Sequence, residues 1–155
     1  MSQMTVTCGS VTLNPNLFPK EASVLGIPTF EALVPLTEDA LRRLYDFLYL
    51  SEHPFNNFSI VKRQIKLAAP TTITFLERAK ALNRVLVQTF EHLAPYGAEP
   101  NRERIPPREW HCFLILRDSY VRCEANRSIM CRLQISEGTF HRTRRRALRM
   151  LAQAL

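Results

Sequence analysis

Glycine is scarce in this chain. The four glycines, at 9, 26, 97 and 138 among 155 residues, are too few and too dispersed to build a glycine-rich loop that cradles phosphates with backbone amides. Cysteine pairs of the CxxC kind are absent as well. Cys8, Cys112, Cys123 and Cys131 are separated by 104, 11 and 8 positions, which matches no zinc site even with His111 and His141 nearby. Cys112 and Cys131 fall inside apolar helical patterns and read as small core residues. No run approaches the roughly 18 apolar residues that cross a bilayer. The opening residues carry no basic stretch followed by an apolar core, so a cytoplasmic location is expected. The four histidines, His53, His92, His111 and His141, are scattered, and none stands beside a nucleophile in a recognisable motif. No catalytic residue, metal or cofactor is expected, and the chain does not read as an enzyme.

Acid is the other thing in short supply, and its absence is local. The formal charge of +7 is distributed unevenly. Residues 1–107 carry 11 Lys and Arg against 10 Asp and Glu, whereas residues 108–155 carry 10 against 4. Beyond Glu137 there is no acid at all, while Arg142, Arg144, Arg145, Arg146 and Arg149 stand within eight positions. A field of one sign on one element suits a polyanion; the alternative is a solvated helix face.

Apolar spacing predicts an all-α protein, an N-terminal helical bundle followed by a C-terminal helix-turn-helix domain. Residues 1–35 hold four prolines and little periodicity and read as an irregular arm, with a short extended piece admitted over 4–8. The helical domain covers 36–93. Its first helix, 38–50, starts from Thr37 as N-cap with Glu38 and Asp39 in the first turn. Leu41, Leu44, Tyr45, Leu48 and Tyr49 form its stripe, and His53-Pro54 ends it. A second helix covers 56–68, with Phe58, Val61, Ile65 and Leu67 inward. A third, 72–93, carries Phe75, Leu76, Ala79, Leu82, Leu86, Thr89, Phe90 and Leu93, a stripe that reads as core or as a seam for a second copy. Four prolines and a glycine mark 94–107 as a linker.

The final domain, 108–155, reads as three helices. Trp110, Phe113, Leu114, Arg117 and Val121 set the inner face of the first, 108–121. Ile129, Met130 and Leu133 set that of the second, 124–133. After the turn Gln134-Ile135 comes Ser136, whose hydroxyl is placed to accept a hydrogen bond from the N–H of Gly138 or Thr139 and so start a helix over 137–151. Phe140, Ala147, Leu148 and Leu151 point inward, leaving Gly138, His141, Arg142, Arg145 and Arg149 outside. A short helix, a tight turn with a buried Ile, and a capped helix with a basic outer face meet the physical specification of a helix-turn-helix. Gly138 lets the backbone approach a nucleic acid closely. No aromatics are interleaved with the arginines, which disfavours single-strand or RNA binding.

These residues resemble a known family. Ile129, Leu133, Ile135-Ser136-Glu137-Gly138-Thr139, Arg146-Ala147 and Leu151 are similar to region four of bacterial sigma factors and to LuxR-like regulators. Pro106-Pro107-Arg108-Glu109, Leu116-Arg117 and Tyr120-Val121 extend the likeness, which covers about 105–155. The resemblance implies a four-helix DNA-binding domain whose last helix enters the major groove, with Glu137, Gly138, His141, Arg142 and Arg145 facing the bases. The family often has glycine where Gln134 stands and another near Cys123. Asp118 and Ser119 lengthen the first helix, and Arg144 holds a place that is normally apolar. It could snorkel, pair with an acid such as Glu124, or turn the helix slightly. Residues 1–107 lack the aromatic-rich promoter-melting helix of a complete sigma factor.

The expected function is sequence-specific binding of double-stranded DNA in transcriptional regulation, with helix 137–151 in the major groove. Arg142 and Arg145 are the expected base-edge contacts. Arg127, Arg146 and Arg149 are expected at phosphates or in structural ion pairs, and Ser136 and Thr139 complete the helix start. The alternative is a protein-interaction adaptor within a larger assembly. Partners beyond DNA would be a second copy through 72–93, RNA polymerase or other protein subunits, and no membrane.

Overall fold

A computed structural model describes residues 29–68, 71–102 and 104–155. The described residues are largely helical and contain no strand. The expected arm lies outside them up to residue 28, as do Cys8 and the extended piece at 4–8.

The first helix, α1 (Phe30–Arg42), begins eight residues before its expected start, inside the stretch read as arm. Thr37 is therefore not a cap. It is buried mid-helix and its hydroxyl donates to the Leu33 carbonyl at 2.8 Å. The four proline signals concealed a second pattern: Leu33, Val34, Leu36 and Leu41 all pack on the core from one helix. Pro35 is tolerated on the exposed side, where the carbonyl it leaves unbonded can be solvated.

The expected helix 38–50 is two helices. A turn at 43–45 separates α1 from α2 (Phe47–Glu52), which Asp46 caps by accepting from the Tyr49 N–H at 3.0 Å. Tyr45 and Leu48, expected inward, are consequently exposed. His53-Pro54 does break the helix and opens a 3₁₀ turn, Pro54–Asn57. After it, α3 (Ser59–Ala68) buries Val61 and Ile65 but turns Leu67 to solvent. Helix α4 (Phe75–Glu91), capped by Thr74, packs against α2 and α3. Its middle stripe, Ala79, Leu82, Leu86, Thr89 and Phe90, is buried within the chain, whereas Phe75 and Leu76 at its start remain exposed.

Beyond 94–107, a 3₁₀ turn (Arg108–Trp110) leads into α5 (His111–Leu116), a π turn (Arg117–Val121), α6 (Asn126–Leu133) and α7 (Glu137–Ala154). Helix α7 packs on α5 and α1. The two cores are not independent of one another. Leu41 and Phe90, from the N-terminal part, belong to the cluster built on Trp110, Phe113, Ile129, Leu133, Phe140 and Leu151, and Val121 and Leu155 pack back onto the other cluster. Fully burying each such side chain contributes about 1.5–3 kcal/mol, so α7 is seated by contacts from both halves of the sequence.

Candidate nucleic-acid interface

The geometry of α7 is set by the turn before it. Gln134 adopts a left-handed conformation, φ 51° and ψ 47°. Its N–H bonds to the Cys131 carbonyl at 3.2 Å, and the Ile135 N–H reaches the Met130 carbonyl at 3.1 Å. This pair of bonds, with Met130 and Ile135 both packed on the same core cluster, is a Schellman motif that ends α6 and reverses the chain. Ser136 then caps α7, its Oγ accepting from the Thr139 N–H at 3.3 Å. Of the two donors the sequence allowed, the structure uses Thr139.

A second left-handed residue, Cys123 at φ 53°, ends the preceding element. Gln134 and Cys123 are the two positive-φ residues other than glycine among the described residues. Asp118 and Ser119 lie in a π turn: the Arg122 N–H bonds to the Arg117 carbonyl five residues back at 3.0 Å, closing one wide turn.

Around that turn lies a buried ion network. Asp118 is 0% exposed. Its Oδ1 accepts from Arg117 Nε at 3.1 Å and Arg122 Nη1 at 3.3 Å, and its Oδ2 accepts from Arg132. Arg117 also meets Glu99 at 2.5 Å and lies over the Phe113 ring, 5.0 Å from its centroid. Arg102 bridges to Glu124 at 2.7 Å. This network ties the 94–107 segment to α5 and α6.

Arg144 belongs to a separate network. Its Nη2 donates to Glu38 Oε1 on α1 at 2.8 Å and to the Tyr120 hydroxyl at 2.7 Å. The partner is Glu38 rather than Glu124, because α1 packs on α7 and brings its acid there, while Glu124 is held by Arg102 and Arg132. Burial opposes ionisation of Glu38, but Arg42, Arg144 and Tyr120 together outweigh it and hold the carboxyl below its ordinary value.

These networks sort the arginines of the last third. Arg117, Arg122, Arg132 and Arg144 are paired with acids inside the protein. Arg108, Arg127, Arg142, Arg145, Arg146 and Arg149 are exposed, and none makes an ion pair among the described residues. Among the described residues, the side-chain hydrogen bond of Arg142 goes to the Thr139 hydroxyl at 3.4 Å and that of Arg145 to the His141 carbonyl at 3.4 Å. Gly138 is exposed with nothing near the position of a Cβ, and Glu137 and His141 sit beside each other at 3.6 Å on the same surface. The residues expected on the outer face of α7 are therefore brought together there.

Sequence reasoning missed Arg108 as a member of this group. The 3₁₀ turn sets it across a polar groove from α7, and the groove is lined by Arg108, Ser136, Thr139, Arg142, Thr143 and Arg146. Cys112 reaches the same groove half-buried; burial pushes its thiol up while the nearby Arg146 acts in the opposite direction. Cys131, expected as a core residue, is exposed on α6. Among the described residues no group of three His, Cys, Asp or Glu side chains is placed to hold a metal, and no helix is long and apolar enough to cross a membrane.

Comparison of the chain with family models, curated proteins and solved structures finds no match in any of the three.

Proposed function

We propose that this protein binds double-stranded DNA sequence-specifically, as a transcriptional regulator, with α7 in the major groove and α6 bracing it. The carrying observation is the contrast among the arginines. In the last third, the arginines that face an acid are paired within the protein, and the others lie on the outer face of α7, on the adjoining α6 and beside the groove. Exposed guanidinium groups without acids suit phosphates and guanine edges. Arg142 and Arg145 would meet base edges, with Glu137, Gly138 and His141 beside them. Arg127, Arg146 and Arg149 would meet phosphates, and the α7 N-terminus capped by Ser136 would approach the backbone.

The arrangement of the α6–α7 pair on the helices before it supports a helix-turn-helix of the kind seen in sigma region four and LuxR-like domains. A second reading, an adaptor that docks on other proteins, draws on the exposed apolar side chains Ile73, Phe75 and Leu76 at the start of α4. A second copy docking there would place two α7 helices for a palindromic site. Selection of bound duplexes from a random pool distinguishes the readings. The DNA reading expects enrichment of one sequence and a steep fall in affinity with salt; an unenriched pool would favour the adaptor.

A further inference from the structure

The groove between the Arg108 turn and α7 lies on one flank of the helix, to the side of the face that carries Gly138, Arg145 and Arg149. Beyond a floor that includes Cys112 and Ile135, its walls carry cations and hydroxyls. Arg108 stands on one side and Arg142 and Arg146 on the other, with the hydroxyls of Ser136, Thr139 and Thr143 between them. No carboxylate is among its lining residues in the described chain. Arg142 and Arg146 are one helical turn apart, so their guanidinium groups stand on the same side of α7. The opposite flank is different. There α1 closes against the helix, and Glu38 neutralises Arg144 beside His141 and Arg145. One side of α7 is thus an open cationic trough and the other is an internally compensated seam.

We propose that Arg108 and Arg146, with the hydroxyls between them, form a phosphate-binding site that seats a backbone phosphodiester of the bound duplex, while Arg142 keeps its place at the base edges. The inference rests on the duplex reading and adds which flank of α7 takes the strand and that a residue outside the helix-turn-helix pair clamps it. Two forked donors, Arg108 and Arg146, and three hydroxyls around one opening match the several acceptor oxygens of a phosphate better than a base edge. Arg108 would then contribute to affinity and to salt dependence while carrying no sequence information.

The test compares wild type, Arg108→Ala and Arg108→Lys on a duplex selected from the random pool and on a scrambled duplex, across a salt series. Circular dichroism confirms that each variant is folded. Arg108→Ala is expected to reduce the slope of log K against log salt by about 0.9, the value of one phosphate contact, and to leave the ratio of selected to scrambled affinity unchanged. Arg108→Lys is expected to keep the slope. A wild-type slope in Arg108→Ala overturns the groove assignment while the duplex reading stands. Failure of wild type to bind either duplex overturns both. Titration with orthophosphate alone identifies the other source: saturable binding lost in Arg108→Ala, with an unchanged duplex slope, would give the groove to a free phosphate compound and overturn the strand assignment.

Discussion

Arg144 on α7 and Glu38 on α1 meet at 2.8 Å although 106 positions separate them in the chain. Both side chains are largely shielded, at 19% and 27% exposure, and the Tyr120 hydroxyl bonds to each. The contact fixes the rotation of α7 about its own axis. With Arg144 held against α1, Arg142 and Arg145 on the same helix remain directed to solvent.

Arg144→Met is therefore expected to cost about 1–3 kcal/mol in urea unfolding, the range for losing hydrogen bonds to a charged group. Glu38→Gln should cost less, because it retains one acceptor for Arg144 and Tyr120. A double-mutant cycle between the two should give a coupling above about 0.5 kcal/mol. Strict additivity would show that the pair does not hold the helices together.

Gln134 is held at φ 51°, a conformation that costs a non-glycine residue about 1–2 kcal/mol. Glycine removes that strain but loses about 0.5–1 kcal/mol through its freer unfolded chain. Gln134→Gly should thus stabilise the protein by about 0.5–1 kcal/mol, read as a higher urea midpoint with an unchanged slope. Gln134→Val should destabilise it. A destabilised glycine variant would mean that the Gln134 side chain contributes more than its backbone costs.

His53 introduces a pH dependence. Its ring is buried, Nδ1 accepts from the Phe55 N–H at 3.2 Å, and Nε2, which has no partner at full hydrogen-bond geometry among the described residues, lies 3.8 Å from Asp39 and near the Leu36 backbone. Burial lowers its pKa below the ordinary 6.5, against the weaker pull of Asp39. The folded state then binds fewer protons than the unfolded chain, so this contribution is complete above pH 6.5 and is lost as pH falls toward the lowered value. Tm should be flat above neutrality and decline below about pH 6.5, and His53→Asn should reduce that decline. Glu38, also lowered, adds a separate loss only below its ordinary 4.5. A Tm independent of pH between 5 and 7 would contradict the role given to His53.

Asp118 gathers three guanidinium groups with no exposure of its own. Asp118→Ala leaves them facing one another in a shielded site, and removing one partner of a buried ion network costs about 3–5 kcal/mol. Thermal unfolding of this variant should show a loss of at least that size. A variant within about 1 kcal/mol of wild type would place the network at the surface in energetic terms.

How much of this was legible depends on how local the signal is. Ser136 as cap, the buried faces of α6 and α7, and the outward set on α7 follow from spacing and from one hydroxyl, and the structure places them as read. The left-handed backbone at Gln134 and Cys123 was not legible from the residues, since a left-handed residue other than glycine leaves no mark in the sequence. What stayed hidden was tertiary. Proline content concealed the start of α1, the Arg43–Tyr45 turn divided one apolar stripe into two helices, and Arg108 joined the basic groove only because a 3₁₀ turn swings it toward α7. The partner of Arg144 lay in a segment that spacing within the last third could not reach.

The central claim is that the unpaired arginines of α7 bind duplex DNA, and the Arg142→Ala, Arg145→Ala double variant tests it most directly. Both side chains are exposed and hold no ion pair among the described residues, so the variant should unfold at the wild-type temperature while its affinity for the selected duplex falls to that for a scrambled one. Selected-duplex binding that survives the double change, with the fold intact, would contradict the claim.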